Sequence, residues 1–483
     1  MNWETVIGLE IHTQLLTKSK AFCNCPIRFG APANTLVCPV CMGLPGSLPV
    51  PNEKMIEYAL RIGAATNSAI HTVTKFDRKN YFYPDIPKNY QITQYDYPIC
   101  HDGFIDIYPD EKNPKRIRIN RIHMEEDTGK VFHDQSVKHS LVDYNRAGVP
   151  LLEIVTEPDM RSPEEAYLFL TELKAMLEFL DISTGNMEEG ALRVDVNISV
   201  RETGASVLGT KVELKNMNSF RAVERAINYE IERQTALIEA GKKNEIILET
   251  RMWLENKGIT QTMRIKETSA DYRYFPEPDI PAFTIDTAVI ASVNSTMPEL
   301  PIAKRFRLIQ EYGITYYDAT VLTSDKKLAG YFESVTAVHA NGKAAANWII
   351  NELLRYMNDD AKPIDAIKIS PTQLAAMLAL IDKGTISGKI AKDLLAEMYA
   401  SGEEPEDIVK RKGWVQISDD SVITGAIGTV LANNAAEVAR YLNGEEKLFG
   451  FLVGQVMKET KGKANPQMAN GALKKALDEK RGG

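Results

Sequence analysis

The sequence predicts an α+β protein with a strand-rich first part and two helical parts, and three observations carry that prediction. Residues 1 to about 294 contain repeated runs in which apolar and polar side chains alternate, the period of a sheet with one buried face. From about 295 the apolar spacing lengthens to three and four residues, the period of helices, as far as a polar hinge, YASGEEPED, near 406. The last segment, 407–483, is again helical. Three domains are therefore expected, at 1–294, 295–406 and 407–483, which suits a chain of 483 residues that is too long for one core. A composition of 44% hydrophobic and 25% charged residues is that of a soluble globular protein. No stretch is apolar enough to span a membrane, and the opening MNWETVIGLEIHT lacks the parts of a signal peptide, so a cytoplasmic location is expected. A net charge of -8 excludes a surface that is basic all over, so any nucleic-acid contact needs a local patch.

The first strand contains GLEIHTQ, residues 8–14, in which Leu9, Ile11 and Thr13 face one way and Glu10, His12 and Gln14 the other. Carboxylate oxygen and imidazole nitrogen both ligate divalent cations, and residues two apart on a strand are separated by roughly 6.6 Å, close enough to converge on one ion. A solvated strand face has the same pattern, so this motif alone leaves both readings open. Five cysteines follow, an odd number that suits free or metal-bound thiols in a reducing compartment. Four of them, Cys23, Cys25, Cys38 and Cys41, form two close pairs, the spacing of a closed tetrahedral zinc site. With every position filled by sulfur, such a zinc is structural and staples the loop PVCMGLPGSLPVPN. Cys100, beside His101-Asp102-Gly103, reads as a hairpin residue and not a nucleophile.

In KFDRKNYFYPDIPKNYQITQYDYP, Lys75, Arg78, Lys79 and Lys88 alternate with Tyr81, Phe82, Tyr83 and Tyr90. Cations that can meet phosphates thus lie among rings that can stack on a base, although an aromatic-packed surface loop looks the same. RIHMEEDTGK then places His123, Glu125, Glu126 and Asp127 at a strand end. A helix is expected near 163–180, with Ser162 as N-cap, Pro163 at its first position and Glu164 and Glu165 in the positive first turn. LRVDVNISV alternates Leu192, Val194, Val196, Ile198 and Val200 with Arg193, Asp195, Asn197 and Ser199. TKVELKN sets Val212 and Leu214 inward and Lys211, Glu213 and Lys215 outward, and a second helix is expected near 219–240. Several strands of one antiparallel sheet thus carry acids on their polar face. Gathered on a concave surface, they form an oxygen-rich site for magnesium, which usually means phosphate. GASVLGTK, 204–211, lacks the ending of a phosphate loop, and the chain has no serine-hydrolase or H-E-x-x-H motif.

The helical region opens with MPELPIAKRFRLIQEYG and continues with ISPTQLAAMLALIDKG, where Ser370 precedes Pro371 and Leu374, Met377, Leu378 and Ile381 make a core stripe. From Lys447 to Gly483 eight Lys/Arg stand against three Asp/Glu, an excess of five in an otherwise acidic chain. Lys458, Lys461 and Lys463 there can follow a nucleic-acid backbone or simply coat a solvated helix.

Taken together, VIGLEIH, the cysteine cluster leading into GLPGSLPV, KFDRKNYFYPDIPKNYQITQ, HMEEDTGK, GVPLLEIVTEPD, MEEGALRVDVNIS, ELKNMNSF, DYRYFPEPD and GFLVGQVMK with KGKANP resemble the GatB family of aspartyl/glutamyl-tRNA amidotransferase subunits. The resemblance covers nearly the whole chain. It implies a cradle-shaped sheet domain, a helical middle domain and a YqeY-like tail, the last two gripping tRNA. It also implies a ligase of the EC 6.3.5 type in the GatCAB heterotrimer, whose other members are a glutaminase subunit, GatA, and a small subunit, GatC. In that reaction ATP phosphorylates the side-chain carboxylate of Glu-tRNA(Gln) or Asp-tRNA(Asn), and ammonia from the glutaminase subunit completes the amide. Carried over by motif, Glu10, His12, Glu125, Asp195 and Glu213 hold magnesium, and Glu126, Lys79 and Lys88 join them in the catalytic set. The cysteines hold a structural zinc. Two other readings remain open: a non-catalytic, zinc-stapled tRNA-binding adaptor, and a general ATP-dependent ligase for a small carboxylate.

Overall fold

The computed structural model describes residues 3–132, 139–265, 272–414, 420–460, 464 and 466–482. The chain divides into two compact units, Met1–Lys304 and Arg305–Gly483.

The first unit is built on a nine-stranded sheet. In spatial order its strands are Ile259–Ile265, Glu249–Leu254, Val212–Lys215, Leu192–Glu202, Trp3–Gln14, Pro150–Thr156, Lys115–Glu126, Cys100–Ile107 and Ala69–Ile70. The opening strand therefore lies at the centre, between partners taken from the 150s and the 190s. Neighbours run antiparallel as expected, with one exception: Val212–Lys215 and Glu249–Leu254 are parallel. A parallel pair needs a crossover rather than a hairpin, and the helix Phe220–Glu239 supplies it.

Alternation divides the two faces of the sheet. Leu9, Ile11, Ile122, Met124, Leu152, Ile154, Val194, Val196, Val212 and Leu214 are all buried in one core with Phe169, Leu173, Leu177, Val223 and Ile227 from two helices. The first of these helices, Pro163–Phe179, starts where expected, with the Ser162 hydroxyl accepting from the Glu165 amide at 3.2 Å. The second, Phe220–Glu239, is capped by Ser219. The structure adds two helices that the strand texture concealed, Glu53–Ala65 and Thr287–Ser295, begun by the caps Asn52 and Asp286. Cys100 is fully buried with its thiol on the Ala59 carbonyl, and burial pushes that thiol up to about 12, so it is no nucleophile.

Among its described residues the second unit is all α-helical. Ser370 and Gln373 form a reciprocal capping box at the head of Pro371–Asp382, whose Leu374, Met377 and Leu378 are buried. One apolar core runs from Leu308 to Val409 and a separate one from Ile423 to Leu477. Lys458 is exposed in the last turn of the helix Leu448–Glu459, while Lys461 and Lys463 lie outside the described residues. No described helix is long and apolar enough to cross a membrane.

Candidate functional site

Register decides which polar residues of the sheet meet. Glu10 stands opposite Asp195, and His12 opposite both Arg193 and Glu153. Glu153 in turn faces His123, Leu151 faces Glu125, and Asn197 faces Glu213. The acids expected around one magnesium therefore separate into two groups, His12, Glu125 and Glu153 in one and Glu10, Asp195 and Glu213 in the other. Within each group the three ligand atoms lie within 4.8 Å of one another. Glu153 is a member that the sequence reading does not single out; its only signal is a lone carboxylate in the apolar run PLLEIVT, between the inward Leu152 and Ile154.

His12 Nε2 lies 3.4 Å from carboxylate oxygens of both Glu125 and Glu153. His123 Nε2 lies 3.1 Å from Glu153 and 3.7 Å from Glu125. Burial would raise both carboxyls, but the two imidazoles outweigh it, holding Glu125 below its ordinary range and Glu153 well below. Burial would likewise lower His12, yet the Glu153 hydrogen bond and the charges of Glu153 and Glu125 raise it to about 8.

That shift carries a sign. Unfolded His12 titrates near 6.5, so the stability supplied by its protonated form is complete below that value and is lost as pH rises through about 8. Urea unfolding of metal-free protein should show a loss of up to about 2 kcal/mol between about pH 6.5 and 9, and His12→Gln should abolish that part of the slope. A divalent cation binding here must displace the same proton, so its uptake should release protons in this window.

The second group is held by neighbours of its own. Asn197 donates to Glu10 at 2.8 Å and Thr250 to Glu213 at 2.7 Å. Lys215, on the same strand as Glu213, forms an ion pair with Asp195 and lies 3.4 Å from Glu213, a cation already seated among the acids. Lys79 serves the first group: burial would lower it, but Glu125 and its neighbours raise it, and its ammonium lies 5.0 Å from the centroid of the Tyr272 ring. Arg193 donates at 2.9 Å to buried Asp127, which also accepts from Gln14.

Glu126 and Lys88 depart from the expected set. Successive residues on a strand face opposite ways, so Glu126 turns from Glu125 to pair with Lys88 and accept from the Ile92 amide. The pair lies in a cavity of about 180 Å³ that Cys23, Cys41, Gly43 and Gly148 also line. The structure thus places these two residues against the cysteine loop and not among the acidic groups.

The sulfurs of Cys23, Cys25, Cys38 and Cys41 also lie within 4.8 Å of one another, so the cluster can bind a structural metal. The Lys20 side chain is fully buried, with its ammonium 3.7 Å from Cys41 Sγ, and the Cys38 amide donates to the same sulfur at 3.2 Å. Both donors suit an anionic thiolate centre.

Residues 5–291 match a family profile described as the GatB/GatE catalytic domain, and residues 330–477 match a second, described as the GatB domain. The chain is 53% identical over 477 residues to the aspartyl/glutamyl-tRNA(Asn/Gln) amidotransferase GatB subunit of Thermoanaerobacter pseudethanolicus, covering 99% of this chain and 100% of that one. It is 53% identical over 481 residues to the protein of the same name from Caldicellulosiruptor bescii, with the same coverage. The Carboxydothermus hydrogenoformans protein of that name is 52% identical over 478 residues, covering 98% of this chain and 99% of the relative.

Proposed function

The chain belongs to the GatB family of aspartyl/glutamyl-tRNA amidotransferase subunits, and from that premise we propose that its two acidic groups form a phosphorylation site for the side-chain carboxylate of Glu-tRNA(Gln) or Asp-tRNA(Asn). The family is one of ligases that form a carbon–nitrogen bond with glutamine as amido donor. The observation that carries the proposal is burial: Glu125 is 2% and Glu213 8% exposed. A solvated sheet face, as the adaptor reading requires, would leave such carboxylates in water. Buried acids gathered in two threes, each with a lysine nearby, call instead for cations and a highly charged substrate.

Bound by these residues, magnesium would neutralise and orient the triphosphate of ATP. Glu10, Asp195 and Glu213 form one holding group and His12, Glu125 and Glu153 the other. A substrate carboxylate oxygen attacks the γ-phosphorus, the bond to ADP breaks, and an acyl phosphate results. Ammonia then adds to that carbonyl, phosphate leaves with the electron pair of its C–O bond, and loss of a proton from nitrogen gives the amide. No strong base is needed in the first step, because the nucleophile is already ionised. Lys79, close to Glu125, and Lys215, on Asp195, are the side chains placed to counter the phosphate charge. Lys88 and Glu126 act from behind the sheet, by shaping the wall of the neighbouring cavity.

We extend the reading to the whole chain: a cradle domain to about 294, a helical domain to about 406 and a tRNA-gripping tail in which Lys458, Lys461 and Lys463 meet the backbone. Its partners are a glutaminase subunit, a small third subunit and the misacylated tRNA. The test supplies free ammonium, ATP, magnesium and Glu-tRNA(Gln) to the assembled complex, which bypasses glutamine hydrolysis. Asp195→Asn should bind tRNA as wild type does yet form no Gln-tRNA. Full turnover by that variant would return the acids to an inert sheet face, and turnover of free glutamate without tRNA would favour a small-molecule ligase.

A further inference from the structure

Beside the His12 group the wall is aromatic. Tyr95 and Tyr274 stack with ring centroids 4.2 Å apart and planes 8° from parallel. Tyr272 meets Tyr274 edge-on at 6.0 Å and Tyr81 at 6.1 Å, and carries Lys79 over its face. Lys79 and Tyr274 both feel the charges of Glu125 and Glu153, so this ladder of rings lies within electrostatic reach of the first acidic group.

Arg121 joins the two. It shares a strand face with His123 and Glu125, and its Nη2 donates to the carbonyls of Gln94 and Tyr95 at 2.7 and 2.8 Å. Those bonds fix the guanidinium behind the tyrosine stack. Its Nε is buried with no hydrogen-bond partner among the described residues, a donor left for something absent. Further rings continue outward in the chain: Phe82 follows Tyr81 and is 84% exposed, and Tyr97 follows Tyr95 and is 47% exposed.

Rings with free faces stack on any base, and an uncommitted guanidinium N–H suits a phosphate or a base edge. One slot would fit a single free nucleotide. A series of rings ending at the reacting carboxylate's site fits a strand of unpaired nucleotides whose last member carries that carboxylate. We propose that the Tyr95–Tyr274 stack, with Arg121, binds the unpaired 3′ end of the substrate tRNA and so delivers the aminoacyl group to the His12, Glu125 and Glu153 cluster. This rests on the phosphorylation reading for what is delivered, but not for the binding itself.

The test measures binding without turnover, in the assembled complex. Dissociation constants are compared for intact tRNA(Gln) and for the same tRNA trimmed of its unpaired 3′ nucleotides. Trimming should weaken binding to wild type about tenfold, the order expected for losing base–aromatic stacking. The double variant Tyr95→Leu/Tyr274→Leu should bind trimmed tRNA as wild type does, which reports an intact fold, and should gain nothing from the 3′ end. Tyr95→Phe/Tyr274→Phe keeps both rings and should behave as wild type. In turnover with free ammonium, the leucine variant should raise KM for aminoacyl-tRNA about tenfold and leave KM for ATP within about twofold. A rise in KM for ATP instead would assign the rings to the ATP base and overturn the proposal. So would an undiminished effect of trimming in the leucine variant. A wild type that binds as described but makes no amide would sink the phosphorylation reading and leave the platform standing.

Discussion

Glu125→Gln should reduce amide formation from free ammonium by about 10³-fold or more, with tRNA binding unchanged and the glutaminase partner still active. The substitution keeps the shape of the side chain and removes only its charge. That charge does two things at once. It is one of three ligands in the His12 group, and it is a hydrogen-bond partner of buried His123 as well as of His12. Removing one stabilising group from a preorganised charged site commonly costs about 10²- to 10³-fold, and weakened cation binding adds to that. Glu153→Gln should match it, since Glu153 holds the same two imidazoles. Glu126→Gln supplies the contrast. It is the adjacent residue and equally buried, yet it faces the cysteine loop and pairs with Lys88, so its loss should appear as lower stability with most of the turnover kept. Urea unfolding and ammonium-dependent turnover of the three variants separate these outcomes. Equal turnover defects at Glu125 and Glu126 would contradict the assignment of faces.

The contrast also marks what the linear chain discloses. Strand period alone identifies Glu10, His12, Asp195 and Glu213 as polar-face residues, because alternation is local. The same rule bars Glu125 and Glu126 from one face, and grouping them by their shared motif overrides it. Which acids meet is a matter of register between strands more than a hundred residues apart, and no local pattern encodes that Glu10 faces Asp195 while His12 faces Glu153. That register turns one expected metal site into two groups and brings in Glu153. The helix Glu53–Ala65 escapes for another reason: it follows a Pro- and Gly-rich loop directly, and its cap Asn52 looks like part of that loop. The parallel strand pair is equally silent in the sequence, since a strand after a helix can return in either sense. By contrast the caps at Ser162 and Ser370 act within four residues, and both are legible.

Removing the metal from the cysteine cluster should lower the thermal midpoint of the first unit by about 10 °C while leaving the chemistry of the folded fraction largely intact. Structural zinc contributes folding free energy directly, on the order of 10 kcal/mol in small zinc domains. Here it fastens one loop of a large unit, so a loss of about 3–5 kcal/mol is a fairer expectation, at roughly 2–4 °C per kcal/mol. Without metal the cluster must hold protons: Cys41, accepting from Cys23 and lying near Lys20, stays low at about 4, whereas Cys25 is pushed up to about 11 by burial and by its sulfur neighbours. Any loosening of the loop then exposes the Lys20 ammonium to an apolar interior with only the Tyr144 carbonyl, at 3.4 Å, as a second acceptor. The acidic groups should feel little of this. Glu125 is set by the sheet, across from Leu151, and only Glu126 on the reverse side touches the cavity that the loop closes. Cys41→Ser, or chelation of the wild type, should therefore shift the melting curve and raise protease sensitivity between residues 17 and 50. At a temperature well below the new midpoint, ammonium-dependent amide formation should stay within a fewfold of wild type. An unshifted melting curve with abolished turnover would give the cluster a part in the reaction itself, which four sulfur ligands and no open position argue against.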